Sequence, residues 1–258
     1  MNTTLVRVVK RFAAAFVASL FFVASAPAAE VKVMISGGLS AAYEELGHDF
    51  ERDTGHKLTT VKGPSMGTTP QAIPNRIERG EPVDVVIMVG DALTGLVQRG
   101  KVVSRVDIAR SSIAMAVKKG EPKPDISTVE ALKRALLDAR SIAYSDSASG
   151  VYIEKDLIPR LGIAEQLKGK ARMIPAEPVG GVVARGDAQL GFQQLSELKP
   201  IPGLDIVGLL PDGAQKVTIF SAGISADSKE PAAAKALLDY FARPKSREVI
   251  IKTGLEPM

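Results

Sequence analysis

The fold is decided by residues 77–88, which read IERGEPVDVVIM. The apolar run that begins inside this stretch is interrupted only by Asp84 (Val83–Val89, VDVVIMV). Such a run is typical of a strand buried on both faces of a parallel sheet. Residues 72–79 carry isoleucines four positions apart, which predicts a short helix with one inner face. We interpret Asp84 as a structural carboxylate paired with backbone N–H groups or with an arginine.

Short apolar runs alternate with helical patterns on both sides of this stretch. The runs that we interpret as further strands are Val31–Ile35, Leu58–Val61, Ile113–Val117, Ser141–Tyr144, Ala188–Phe192 and Val217–Ser221. The helical patterns cover residues 43–50, 92–99, 129–137, 151–157 and 232–241. Ser127 and Glu130 have the spacing of a capping box, which predicts Ser127 as the N-cap of the third of these helices. Strands that alternate with helices indicate an α/β fold with mainly parallel sheets.

The first 28 residues have the pattern of a secretory signal peptide. Three basic residues precede an apolar run at residues 12–24, and Ala26-Pro27-Ala28 follows as a small-residue cleavage site. The run is shorter than the roughly 20 apolar residues that a membrane-spanning helix needs. We therefore predict cleavage after Ala28 and a soluble exported protein, with a retained membrane anchor as the alternative.

The composition of the 258 residues excludes several classes of protein. No cysteine occurs, so a disulfide framework, a thiolate metal site and a cysteine nucleophile are excluded. Residues 1–28 hold three of the 33 basic residues and none of the 29 acidic ones, which leaves the remainder nearly neutral. A nearly neutral surface has no general attraction for nucleic acid. The chain also lacks a phosphate P-loop and a dinucleotide fingerprint, and we expect neither a nucleic-acid partner nor a cofactor.

Four predicted strand-to-helix turns are rich in glycine and hydroxyl side chains. They are residues 36–38 (SGG), 63–68 (GPSMGT), 145–150 (SDSASG) and 177–181 (EPVGG). Ligands of open α/β sheets lie beyond the carboxyl ends of the strands, where such turns gather. Glycine lets a ligand approach the backbone, and hydroxyls with helix N-terminal N–H groups donate hydrogen bonds to an anion. The turns therefore predict a site for a small anion, although such residues also occur in ordinary loops and helix caps.

Residues 63–67, GPSMG, also match the G-x-S-x-G pattern of serine hydrolases. Those enzymes need an acid and a histidine after the nucleophile, yet both histidines, His48 and His56, precede Ser65. A secreted hydrolase that uses Ser65 is the alternative from a different class. The two histidines lack the spacing of a metal site, and we expect no metal. An exported chain with anion-binding turns and no catalytic constellation is expected to be a binding protein and not an enzyme.

The mature chain resembles the periplasmic molybdate-binding proteins of bacterial ABC transporters. Its most specific segment is residues 77–88, which is similar to the family's I-E-x-G-x-P-A-D-V-F-I stretch. Residues 149–152 (SGVY) are similar to the A-G-x-Y turn, and residues 222–241 to the returning strand and final helix. The resemblance implies a two-lobed type II periplasmic binding fold, each lobe a mainly parallel sheet flanked by helices. It also implies an oxyanion held between the lobes by hydroxyl and backbone donors.

The resemblance further implies which positions bind the ligand. The family's two serines fall at Gly38, a mismatch, and at Ser65. Its backbone contacts fall at Ser149 and Val179, and its tyrosine falls at Gln194, a second mismatch. With their neighbours, the predicted ligand-binding residues are Ser36, Gly37, Gly38, Ser65, Met66, Thr68, Ser147, Ser149, Gly150, Val179 and Gln194. Gly38 is expected to enlarge the pocket, and a small organic acid or another anion is the alternative ligand.

We predict that residues 31–112 and 217–258 form one lobe and residues 113–216 the other. Ile113–Val117 and Val217–Ser221 are expected to cross between them as an antiparallel pair. The expected function is capture of a small oxyanion such as molybdate by a monomeric periplasmic protein. Closure of the lobes on uncharged donors would hold the anion for delivery to an ABC transporter permease.

Overall fold

The computed structural model describes residues 28–175 and 177–258. The predicted signal peptide therefore lies outside the described residues, except for Ala28. In the described part of the chain, no helix combines the length and the apolar character needed to cross a membrane.

The described residues form β-strands and helices in alternation. The strands are β1 (Glu30–Ile35), β2 (Lys57–Lys62), β3 (Val85–Val89), β4 (Val106–Ser111), β5 (Ile113–Lys118), β6 (Ile142–Ser145), β7 (Ala171–Ile174), β8 (Leu190–Gln194), β9 (Leu204–Leu209), β10 (Thr218–Ile224) and β11 (Glu256–Pro257). The helices are α1 (Ser40–Thr54), α2 (Ile73–Glu78), α3 (Gly90–Gln98), α4 (Val129–Asp138), α5 (Ala148–Tyr152), α6 (Ile158–Arg160), α7 (Ala164–Leu167), α8 (Val179–Arg185), α9 (Leu195–Leu198), α10 (Pro231–Phe241) and α11 (Pro244–Lys252). A 3₁₀ turn at Gly37–Leu39 precedes α1, and a π-helical stretch at Ile153–Leu157 continues α5.

The strands form two sheets, and we call each sheet with its flanking helices a lobe. The first lobe has the strand order β11-β4-β10-β3-β1-β2 and the second has the order β7-β6-β8-β5-β9. The predicted two-lobed α/β fold is confirmed, but the sheets are not mainly parallel as predicted. Both sheets are mixed: β1 runs parallel to β2 and β3, and β6 runs parallel to β7 and β8, whereas β10 and β5 run antiparallel to their neighbours. β5 and β10 are the strands by which the chain enters each lobe from the other, so they begin at the lobe boundary. The parallel strands end at that boundary, and β5 and β10 therefore run antiparallel to them.

The chain passes between the lobes at two places that differ from the predicted antiparallel pair. β5 and β10 lie in different sheets and do not pair. The passages are Ser112, between β4 and β5, and residues 210–217, between β9 and β10. The side chain of Gln215 joins them: its Oε1 accepts from the Ile113 amide at 2.8 Å, and its Nε2 donates to the carbonyls of Ile113 at 3.0 Å and Leu210 at 3.2 Å.

The core of the first lobe lies on both faces of its sheet. Successive side chains of a strand point to opposite faces. Accordingly Val33 packs with Phe50 of α1 in one buried cluster, while Met34 packs with Leu93 of α3 in another. All five residues of β3 are buried, which confirms the predicted two-sided strand.

Asp84 fastens the start of β3 to two other segments, as predicted for a structural carboxylate. Its Oδ2 accepts from the amide of Lys32 in β1 at 2.8 Å. Its Oδ1 accepts from the Ser228 hydroxyl at 2.7 Å and from the Lys229 amide at 2.9 Å, in the loop before α10.

The N-terminus of α4 differs by one residue from the predicted capping box. The N-cap is Thr128, whose Oγ1 accepts from the Ala131 amide at 3.1 Å. Ser127 was predicted wrongly because its own amide donates to Asp125 Oδ1 at 2.9 Å, within the loop that precedes the helix.

Candidate functional site

The carboxyl ends of parallel strands from both lobes meet at one cavity, as open α/β sheets require. The cavity has a volume of about 310 Å³, at the small end of the roughly 300–1,000 Å³ range of small-molecule sites. We call it the interlobe cleft. It is lined by Gly37, Ser40, Lys62, Gly63, Pro64, Thr69 and Gln71 of the first lobe and by Ser145, Asp146, Ser147, Glu177, Pro178, Gln193 and Glu197 of the second.

The wall that belongs to the first lobe presents a hydroxyl, an amine and backbone groups. Ser40 lies at the start of α1, where its hydroxyl donates to the Ser36 carbonyl at 3.3 Å. Lys62 ends β2, and its ammonium group contacts Glu44 at 2.5 Å on the exposed side of the wall. Gly63 continues the strand by donating its amide to the Ile35 carbonyl at 3.1 Å.

The wall that belongs to the second lobe is built from the turn after β6 and the end of β8. The hydroxyls of Ser145 and Ser149 lie 3.1 Å apart, and the amide of Ser147 donates to Ser145 Oγ at 3.4 Å. Gln193 accepts from the amide of Val179 through its Oε1 at 3.0 Å. These bonds fix the orientation of the polar groups before any ligand is present.

Glu197 brings a carboxyl group with an unusual protonation equilibrium to this wall. The residue lies in α9, which follows β8 directly, and its side chain is partly buried. Burial raises the pKa of Glu197 to about 7, hydrogen bonds from the Gln193 side chain and the Gln194 backbone oppose this rise, and the charge of Asp146 adds to it. Both the neutral and the charged carboxyl are therefore populated near neutral pH.

Of the predicted ligand-binding residues, Gly37 and Ser147 line the interlobe cleft. Ser36 lies at the end of β1 with its amide bonded to the Ile87 carbonyl at 2.9 Å. Its buried hydroxyl has no hydrogen-bond partner among the described residues.

Ser65 does not reach the cleft. It is fully buried, and its Oγ accepts from the amide of Val89 at 3.0 Å. Its burial and this structural bond argue against Ser65 as the nucleophile of a hydrolase. Ser149 is likewise buried and is turned towards Ser145.

Three further predicted residues make structural contacts instead of lining the cleft. The amide of Val179 is taken by Gln193. Gln194 donates from its Nε2 to Thr218 Oγ1 at 2.9 Å, across the lobe boundary. Gly38 does not enlarge the pocket, because the ring of Phe220 occupies the space that a side chain at position 38 would need.

The remaining predicted residues lie elsewhere. Met66 lines a second cavity of about 400 Å³ between the lobes, together with Tyr152 and Thr218. Thr68 is exposed on the outer surface of the first lobe. Gly150 is buried and packs directly on the carbonyl of Ser145.

Sequence reasoning missed the charged and amide side chains of the cleft. Lys62, Gln193 and Glu197 stand at or just after the carboxyl end of a strand, and that position was the signal that could have identified them. The expectation that only uncharged donors line the site is therefore wrong, since Lys62 lines the first wall and three carboxyl side chains line the second.

Comparison with known proteins identifies the family. A family model described as bacterial extracellular solute-binding protein matches residues 31–256. The chain belongs to that family. An Azotobacter vinelandii periplasmic molybdate-binding protein of known structure shares this solute-binding fold, with a TM-score of 0.70 and 22% identity over 87% of this chain and 98% of that one. This result agrees with the predicted resemblance.

Two curated relatives differ in what their names say. An aconitate isomerase of Pseudomonas sp. is 53% identical over 95% of this chain and 94% of its own length. The molybdate-binding protein ModA of Azotobacter vinelandii is 29% identical over 89% of this chain and 91% of its own length. The expectation that this solute-binding protein is not an enzyme is overturned by the first relative, which is named as one.

Proposed function

We propose that this solute-binding protein isomerises aconitate in its interlobe cleft. The relative named aconitate isomerase supports the proposal, because the similarity extends over 95% of the chain. The observation that carries it is the chemistry of the cleft, which combines hydroxyl and amide donors with the carboxyl side chains of Asp146, Glu177 and Glu197.

These carboxyl side chains favour aconitate over a tetrahedral oxyanion. Isomerisation of aconitate needs a group that accepts and returns a proton, which a carboxyl side chain can do, whereas capture of a deprotonated tetrahedral oxyanion has no use for such a group. Aconitate spreads its charge over three carboxylates, and Lys62 with the serine and glutamine groups can receive them through charge-assisted hydrogen bonds. With its carboxylates bound in this way, the carbon chain of aconitate would lie next to a carboxyl side chain of the cleft.

The reaction needs only the movement of a proton. Aconitate has a methylene carbon and a vinylic carbon on either side of its central carbon. Removal of a proton from the methylene carbon leaves an electron pair delocalised over the three carbons, and protonation at the former vinylic carbon moves the double bond. The product has the same constitution, and the conformation of the bound arms decides between the cis and trans forms. One C–H bond breaks and one forms, so the balance requires no oxidant or reductant.

The test is isomerisation by the purified protein. Trans-aconitate is incubated with the protein, and proton NMR follows the appearance of the cis form. We expect the same final ratio from either isomer, reached at a rate proportional to protein concentration. Conversion no faster than in protein-free buffer would contradict the proposal.

A second role for the same cleft is delivery of a captured anion to an ABC transporter permease. The relatives named molybdate-binding proteins favour this role, and it is compatible with isomerisation. Ligand binding raises the thermal midpoint of a protein by mass action. A midpoint that rises with molybdate but not with aconitate would favour the transport role, and the reverse result would favour the isomerase.

Export through residues 1–28 completes the proposal. The family description as extracellular supports it, and so does the basic and apolar pattern of that segment. We propose that the mature protein begins at Ala29 and acts as a periplasmic monomer whose lobes comprise residues 31–112 with 217–258 and residues 113–216. N-terminal sequencing of the protein from a periplasmic extract checks its location and its first residue, and its mass in solution checks that it is a monomer.

A further inference from the structure

The carboxyl group of Glu197 lies where the two lobes touch. It belongs to α9 of the second lobe, yet its Oε1 lies against Gly37 of the first lobe. A Cβ atom added to Gly37 would stand only 2.2 Å from Oε1. The absence of a side chain at position 37 therefore admits this carboxyl to the interlobe cleft, which both residues line.

Gln193 holds the carboxyl in a defined orientation. The Oε1 of Gln193 accepts from the Val179 amide at 3.0 Å, so its amino group is the end that is left to donate. That side chain and the Gln194 backbone both hydrogen-bond to Glu197. A carboxyl group positioned in this way can present one oxygen to a bound ligand without a large loss of side-chain entropy.

The protonation of Glu197 is suited to proton transfer. A general acid–base catalyst works best when its pKa lies near the operating pH. Burial raises the pKa of Glu197 to about 7, so the group can accept a proton and return it under the same conditions.

Another carboxyl of the cleft is engaged by a cation. Glu177 forms an ion pair with Arg185 at 3.2 Å, and about half of its side chain is exposed. Glu177 therefore already has a cationic partner, whereas Glu197 is held by the hydrogen bonds of Gln193 and Gln194.

We propose that Glu197 is the catalytic acid–base that carries the proton between the two terminal carbons of bound aconitate, an inference that rests on the proposed isomerase function. The Glu197 carboxylate takes a proton from the methylene carbon, and the C–H electron pair is delocalised over the carbon chain. The neutral carboxyl then returns the proton to the former vinylic carbon. Glu197 ends as the carboxylate from which it began.

The experiment compares Glu197→Gln with the wild-type protein and with Glu165→Gln, a matched control on the exposed surface of α7. Three quantities are measured: kcat for isomerisation, exchange of the aconitate methylene protons in D₂O, and the Kd of trans-aconitate. We expect Glu197→Gln to lower kcat and exchange at least 100-fold while Kd changes less than about threefold. Glu165→Gln should match the wild type.

The outcomes separate the two proposals. A wild-type protein that neither isomerises aconitate nor exchanges its protons removes the isomerase function and this inference with it. An active wild type whose Glu197→Gln variant stays within threefold overturns only the role of Glu197. The pH profile decides if the variant fails to fold: wild-type kcat should fall as the pH drops below about 7, and a constant kcat from about pH 5.5 to about pH 8.5 overturns the inference.

Discussion

Gly38 was predicted to enlarge the ligand pocket, but the structure gives its missing side chain a different role. It lies in the 3₁₀ turn after β1, where its carbonyl accepts from the Ser196 hydroxyl of the second lobe at 2.7 Å. A Cβ atom at this position would stand 2.0 Å from Cζ of Phe220, a ring that is 3% exposed. The missing side chain therefore serves close packing between β10 and the turn, and not the volume of the cleft.

Replacement of Gly38 by alanine is expected to destabilise the protein. The buried ring of Phe220 has to move, and overpacking of this kind costs about 1–3 kcal/mol of unfolding free energy. Urea unfolding of Gly38→Ala measures the change. The matched control is Gly181→Ala in α8, where the nearest side-chain atom is 3.6 Å away and alanine favours the helix by up to about 1 kcal/mol. Equal stability of the two variants would contradict this account.

At the scale of the element, two neighbouring hydroxyl residues could each serve as the N-cap of α4. Thr128 and Ser127 are both suitable N-caps by residue type. Thr128 caps the helix because its extended backbone turns Oγ1 towards Ala131. Ser127 is held instead in the turn formed with Asp125.

The two alanine variants of this pair should separate clearly. Thr128→Ala removes the cap and should cost about 1 kcal/mol of unfolding free energy, whereas Ser127→Ala should cost less than about half of that. Thermal unfolding of both variants is the measurement. If Ser127→Ala lost more unfolding free energy than Thr128→Ala, Ser127 would be the N-cap, as the capping-box spacing predicts.

The sequence predicted most clearly the strands that are buried on both faces. Continuous apolar runs located β5 to within one residue and β3 to within two, because such burial leaves little room for polar side chains. β7 and β9 lie at the edges of the second sheet and are half-exposed, so their residues carry no clear pattern. Their position follows from pairing with β6 and β5.

The sequence predicted where the site lies in the fold but not most of the side chains that line it. The turns after the strands were identified, and two of the predicted residues, Gly37 and Ser147, line the cleft. Ser65 has the expected chemistry but is turned into the protein by its bond to Val89. Glu197 lies in a helix of four residues, which is too short to show a periodicity, and only the packing of the lobes brings it to the cleft.

At the scale of the whole molecule, Asp84 couples stability to pH. It joins the start of β3 to β1, 52 residues away, and to the loop before α10, 144 and 145 residues away. Burial alone would raise the pKa of Asp84, but the hydrogen bonds from Lys32, Ser228, Lys229 and Glu230 outweigh it and lower the pKa. A lowered folded-state pKa stabilises the protein above the unfolded pKa, and this contribution is lost as the pH falls through the folded value.

The variant Asp84→Asn should therefore lose stability mainly at neutral pH. We expect a loss of about 2 kcal/mol in unfolding free energy at pH 7, because buried donors lose their charged acceptor. The difference from the wild type should shrink as the pH falls from about 5 towards 2. Urea unfolding across this range is the measurement, with Asp227→Asn in the same exposed loop as the control. A difference that stays constant with pH would exclude the charge as its origin.

The Gln215 side chain has a consequence for how the lobes can move. Its three hydrogen bonds tie Ile113 to Leu210, so a displacement of one passage along the lobe boundary pulls the other with it. All three bonded residues lie within residues 113–216, so a movement of the first lobe does not have to break these bonds. The two passages are thus held side by side at the edge of the second lobe and would act together as one joint.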